Sequence, residues 1–185
     1  MKKIIIGISG ASGTNYALNL LTHLKKQNVE VHLIISEWGE KVFEKDTSKK
    51  ISELKKLATK NYSNKEMDAL ISSSSFLADG MIIIPASVKT CSEIATAHTS
   101  TLITRCADIM IRYKKPLVIC LRETPLSGPC LENLAKIAQY GGIVFPLSPG
   151  FYGKPKKIGD LEDFVSGKVM DLIGLENNIY KRWKC

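Results

Sequence analysis

Apolar residues gather into five short continuous runs: 3–8 (KIIIGI), 30–35 (EVHLII), 80–85 (GMIIIP), 116–121 (PLVICL) and 142–146 (GIVFP). Continuous rather than alternating hydrophobicity over so few residues is the pattern of strands buried on both faces, as in a parallel sheet. Between the runs, helical spacing is expected over 14–27, 37–45, 51–59, 65–74, 87–113 (in one or two pieces) and 130–140. A last amphipathic stretch, 160–173 (DLEDFVSGKVMDLI), reads as a helix with Asp160 as its N-cap. This alternation predicts the α/β class: a three-layer sandwich with crossover helices on both faces of a parallel sheet.

Ligands of such sheets sit beyond the carboxyl ends of the strands. The candidate rim is therefore the set of segments that follow each run: SGASG (9–13), SEWGE (36–40), PASVKT (85–90), RETPLSG (122–128) and PLSPGFYGKP (146–155). They are also the most polar and most glycine- or proline-rich parts of the chain.

At 185 residues and 44% hydrophobic, the chain fits one domain with a sizeable core. No apolar run approaches the ~20 residues of a membrane span, and IIIGI is too short for a signal-peptide core. A cytoplasmic protein with no membrane partner is expected. Five cysteines (Cys91, Cys106, Cys120, Cys130, Cys185) form no CxxC pair, and the three histidines are dispersed. Reduced, mostly buried thiols and no metal site are expected.

The net charge of +8 raises the question of nucleic acid. The lysines, however, fall in scattered pairs with no interleaved aromatics to stack bases, so a small anionic ligand fits better. Only four of the 26 basic residues are arginines: Arg105, Arg112, Arg122 and Arg182. Where lysine meets the general need for charge, a rare arginine marks a place that wants a rigid bidentate fork.

The first turn, GISGASG, spaces its glycines as G-x-x-G-x-x-G, and the second strand ends in Ser36 rather than an acid. Both features fail the dinucleotide fingerprint. What remains is a glycine turn at a helix N-terminus, with the Ser9 and Ser12 hydroxyls and backbone N–H groups suited to a phosphate or a flavin edge. In PASVKT, Ser87 is a candidate N-cap, and Lys89 in the first helical turn opposes the macrodipole unless an anion lies nearby. Arg122 and Glu123 directly follow an apolar strand, as phosphate ligand and proton carrier respectively. Tyr152, on the PGFYG loop, offers a phenol to an anion.

These segments, with TRCADIMIRYKKPLVICLRETPL (104–126) and LENLAKIAQYGGIVFP, resemble the UbiX-type flavin prenyltransferases from residue 3 to KRW at 181–183. The resemblance implies a flavodoxin-like (Rossmann-like) fold in a single flavoprotein domain, 1–185, with the tail 174–185 in subunit contacts. It also implies a homo-oligomer, typically a dodecamer. The implied activity joins the dimethylallyl group of dimethylallyl phosphate to reduced FMN at N5 and C6, without a metal. The prenylated FMN so formed serves UbiD-type decarboxylases. By position, Gly10, Ala11, Ser12, Ser36, Ser87, Val88, Lys89, Thr90 and Arg122 would contact FMN. Tyr152 and Lys168 would hold the prenyl phosphate, with Arg112, Arg122 and Arg105 in the same basic group. Glu123 would be the main acid–base group, Ser12 would orient flavin and substrate, and Asp46 would sit opposite Glu123.

Three positions depart from the commonest pattern: Asp46 stands where Glu is usual, Arg112 where Lys is usual, and Lys168 where Arg is usual. Ala86 replaces a common Cys, which argues against a cysteine mechanism. Two other readings remain open. One is an FMN-dependent cysteine decarboxylase, whose PASANT run PASVKT partly resembles, with Lys89 in place of the Asn. The other is an FMN reductase or flavin carrier, which would not need Glu123, Tyr152 and Lys168 together.

Overall fold

The computed structural model describes residues 1–183; Cys185 lies outside the described residues. Six strands form one parallel sheet: β1 (Lys3–Ile8), β2 (Glu30–Ile35), β3 (Lys60–Ser63), β4 (Gly80–Ala86), β5 (Leu117–Leu121) and β6 (Ile143–Pro146). Their order is β3-β2-β1-β4-β5-β6. Without the edge strand β3, this is the flavodoxin-like order; β3 extends it to the Rossmann order.

Strand residues alternate between two cores. Ile4, Ile6, Ile8, Ile82 and Ile84 pack beneath α1 (Thr14–Lys26), α2 (Glu37–Thr47), α3 (Ile51–Lys55) and α7 (Ile158–Leu172). Ile5, Met81, Ile83 and Ile119 face α4 (Val88–Ala95), α5 (Leu102–Arg112) and α6 (Gly128–Gln139). Both cores are almost wholly apolar, and this gives the three layers expected.

The five anticipated strands are present; β3 was not anticipated. It reads KNYS, and only Tyr62 packs inward, its hydroxyl 2.9 Å from His32 Nδ1. An edge strand with one inward side chain carries no apolar run. The helix expected over 65–74 is instead a set of turns with one 3-10 turn, Leu70–Ser72. There Arg105 Nε donates to the Ser72 carbonyl (3.1 Å) and Cys106 Sγ to that of Ile71 (3.3 Å), drawing these carbonyls toward α5. The segment expected as one or two helices over 87–113 is two. Thr101 caps the second by accepting from the Thr104 N–H (3.4 Å). Asp160 is not the N-cap of α7. It occupies the third helical position and accepts from the N–H groups of Lys156 (2.8 Å) and Lys157 (3.2 Å).

Candidate functional site

β1 and β4 are the central neighbours from which the strand order runs outward in both directions, which opens a crevice at their carboxyl ends. Ser9 closes the floor of that crevice. Its hydroxyl donates to the Pro85 carbonyl (2.9 Å) and accepts from the Ser87 N–H (2.7 Å), and the residue is buried. Ser9 therefore staples two loops together, while Ser12 keeps the exposed hydroxyl.

Asp46, near the end of α2, reaches back to the start of α1. Its Oδ2 accepts from the N–H of Gly13 (2.7 Å), the N–H of Thr14 (3.1 Å) and the Thr14 hydroxyl (3.0 Å). Its Oδ1 accepts from the Ser12 hydroxyl (3.0 Å). Partial burial pushes this carboxyl up, but the four hydrogen bonds outweigh it and hold Asp46 below the usual range. The helix N-terminus that the sequence offered to an anion is thus capped from within the chain. The N–H groups of Gly10, Ala11 and Ser12 make no hydrogen bond among the described residues, nor do those of Val88 and Lys89 at the start of α4. Gly10 has to be glycine: a Cβ there would lie 2.6 Å from that of Trp38 on α2.

Ser12 also joins the turn to β5. Its carbonyl accepts from Arg122 Nε (3.1 Å), and Arg122 Nη1 lies 3.7 Å from Glu123 Oε1. Glu123 Oε1 is held by the Thr124 N–H (3.1 Å), and Oε2 has no hydrogen-bond partner among the described residues. Asp46, Ser12, Arg122 and Glu123 therefore form one connected set along the rim. Ser36 and Ser87 border it as N-caps of α2 and α4, accepting from Gly39 N–H (2.9 Å) and Thr90 N–H (3.3 Å). The Ser36 hydroxyl keeps a proton to donate, and the Ser87 hydroxyl shares a hydrogen bond with that of Thr90 (3.1 Å). Lys89 pairs with Glu93 one turn along its own helix (3.1 Å), which offsets its conflict with the macrodipole.

Tyr152 and Lys168 form a second group, joined through aromatic rings. Tyr152 packs edge-on to Phe164 (5.7 Å between centroids) and to Trp183 (5.3 Å). The Lys168 ammonium lies over Phe164 (5.9 Å) and Tyr180 (5.6 Å). No hydrogen bond or ion pair joins this group to Arg122 among the described residues. Arg105 and Arg112 lie elsewhere again, on α5, where Arg112 Nε donates to Asp108 Oδ2 (2.9 Å). Arg112 precedes β5 and Arg122 follows it, so they belong to opposite ends of a five-residue strand about 16 Å long. The single chain does not bring those two arginines together.

The Flavoprotein family model matches residues 1–170. Flavin prenyltransferase UbiX of Saccharolobus solfataricus is 47% identical over 186 residues, covering 99% of this chain and 92% of its own length. The chain belongs to the flavin prenyltransferase family. Solved members share its shape. The crystal structure of AnUbiX (PadA1), in complex with FMN and dimethylallyl pyrophosphate, superposes with a TM-score of 0.97 at 36% identity, covering 100% of this chain and 98% of that one. A dodecameric FMN-dependent UbiX-like decarboxylase from Escherichia coli O157:H7 has a TM-score of 0.96 at 35% identity, covering 99% and 100%.

A flavin prenyltransferase needs a flavin cradle and an anion site, and the donor set fits both. The candidate cradle has five amides unpaired among the described residues, two serine hydroxyls and a guanidinium that is hydrogen-bonded through Nε and faces Glu123 through Nη1. One further set went unread in the sequence: Asp171, Tyr180 and Arg182, which close the tail onto α7. Its one signal was the scarcity of arginine, for Arg182 is one of the four.

Proposed function

We propose that this chain transfers the dimethylallyl group of dimethylallyl phosphate to N5 and C6 of reduced FMN, and that the prenylated FMN passes to a UbiD-type decarboxylase. The observation that carries the reading is the connected set Asp46–Ser12–Arg122–Glu123, lying beside unpaired amides at the sheet's switch point. Reduced FMN supplies the electron-rich N5 and C6 that take the five-carbon group.

The chain's residues do the rest. The amides of Gly10–Ser12 and Val88–Lys89, with the Ser36, Ser87 and Thr90 hydroxyls, bind the flavin's phosphate and polar edge. Arg122, anchored through Nε, turns its remaining N–H groups to the departing phosphate, where charge develops. Glu123 Oε2 holds or moves the proton exchanged as phosphate leaves and the ring closes. Asp46, fully engaged as a cap, orients the Ser12 hydroxyl.

Lys168, Tyr152 and Arg112 enter from neighbouring copies. No hydrogen bond or ion pair among the described residues of one chain joins them to Arg122, and exposed Phe151 and Trp183 flank Tyr152 with apolar surface suited to a subunit contact. The Escherichia coli relative is a dodecamer. Anaerobic incubation with reduced FMN and dimethylallyl phosphate, followed by mass analysis of the flavin, tests the reading.

A further inference from the structure

We infer that Asp171 and Arg182 form a clasp that positions the prenyl-phosphate residues Lys168 and Tyr152, though neither touches substrate. The inference rests on the assignment of those two residues to the phosphate. After α7 the chain turns at 174–178 and runs back along the helix. Asp171, in the last turn of α7, meets the returning tail with both oxygens. Its Oδ1 accepts from Arg182 Nη2 (2.8 Å) and Asn177 Nδ2 (2.9 Å); its Oδ2 accepts from Arg182 Nη1 (2.9 Å) and the Tyr180 hydroxyl (2.7 Å). A planar fork on a carboxylate fixes both distance and angle, which a lysine would not.

The clasp has two consequences within reach of the chemistry. First, it fixes the Tyr180 ring, over which the Lys168 ammonium lies at 5.6 Å; Phe164, edge-on to Tyr180 with centroids 5.5 Å apart, lies 5.9 Å from the same ammonium. A lysine side chain has four rotatable bonds, and two aromatic faces restrict where its charge can go. Second, it sets the next residue, Trp183, edge-on against Tyr152. Tyr152, Tyr180 and Trp183 then border a cavity of about 510 Å³. The helix has made room for this arrangement. At Gly167 a Cβ would lie 2.2 Å from Tyr180 Cδ1, so any larger residue would lift the tail. The fork is worth more than a surface ion pair because it closes a network of five hydrogen bonds around one carboxylate and the Asn177 carbonyl.

The test is steady-state prenyl transfer by the full-length protein, with FMN binding measured in parallel. Asp171→Asn and Arg182→Gln should each raise KM for dimethylallyl phosphate about tenfold, with kcat within about twofold and FMN affinity unchanged. Arg182→Gln alters an exposed side chain and so keeps the test open should Asp171→Asn fold poorly. In a Lys168→Ala background, neither substitution should raise KM further, because the clasp acts through the lysine; a merely structural role would add to it. An unchanged KM in both single variants, or an equal further rise in the Lys168→Ala background, would overturn the clasp alone. A Lys168→Ala protein with wild-type KM would overturn both the phosphate assignment and the clasp.

Discussion

In the proposed reaction, Glu123 is the residue on which the chemistry turns. Its Oε1 is held by a backbone N–H and faces Arg122 Nη1, while Oε2 has no hydrogen-bond partner among the described residues. Glu123→Gln keeps the size and the hydrogen bond to Thr124 but removes the exchangeable proton. Turnover should fall about 100-fold or more while FMN binds as before, as read by flavin titration and single-turnover kinetics. Loss of flavin binding in that variant would move Glu123 from chemistry to the cradle. Arg122, Glu123 and Ser12 were legible in the sequence because each follows an apolar strand, where charge and glycine stand out. Ser9 was half legible: its position was read, but its burial depends on Pro85 and Ser87, 76 and 78 residues away. The Asp171–Arg182 fork was not legible, because nothing local marks two residues that meet only after the tail reverses.

Among the elements, α1 is tied at its start to a single distant side chain. Its first two N–H partners come from Asp46 on α2, so the cap joins the two helices that frame the glycine turn. Asp46→Asn should lower stability by about 1 kcal/mol at pH 7, because it removes a carboxylate and its charge-assisted hydrogen bonds from a helix N-terminus. The pH dependence follows from the carboxyl lying below its usual range when folded. The wild-type contribution is complete above the unfolded value near pH 4, and it fades as pH falls through the lower folded value. Urea titrations at pH 7 and pH 3 should therefore show a smaller acid-side loss in Asp46→Asn than in wild type; equal losses would contradict the cap. Element type was read well where apolar runs were long, and poorly between 56 and 79. There β3 is a polar edge strand, and the expected helix gives its carbonyls to Arg105 and Cys106. No periodicity within that segment reports on α5.

At the scale of the whole molecule, the proposed site falls into two groups of residues that no hydrogen bond or ion pair joins among the described residues of one chain. The proposed flavin rim carries Glu123, while Lys168 of α7 and Tyr152, packed on Phe164 of that helix, form the other group. If neighbouring copies unite them, two inactive variants should rescue each other. Glu123→Gln and Lys168→Ala subunits, unfolded and reassembled together, should regain activity at roughly a quarter of the sites. Mixtures no more active than either parent would place both residues in one subunit's site. The same design gives a reason for the exposure of Phe151 and Trp183 on either side of Tyr152. The most direct measurement remains the product itself. Protein, reduced FMN and dimethylallyl phosphate are combined without oxygen or added metal, and the flavin is extracted and weighed by mass spectrometry. The account predicts a flavin heavier than FMN by one five-carbon unit, formed with the release of phosphate; flavin that binds yet is recovered as unmodified FMN would contradict it.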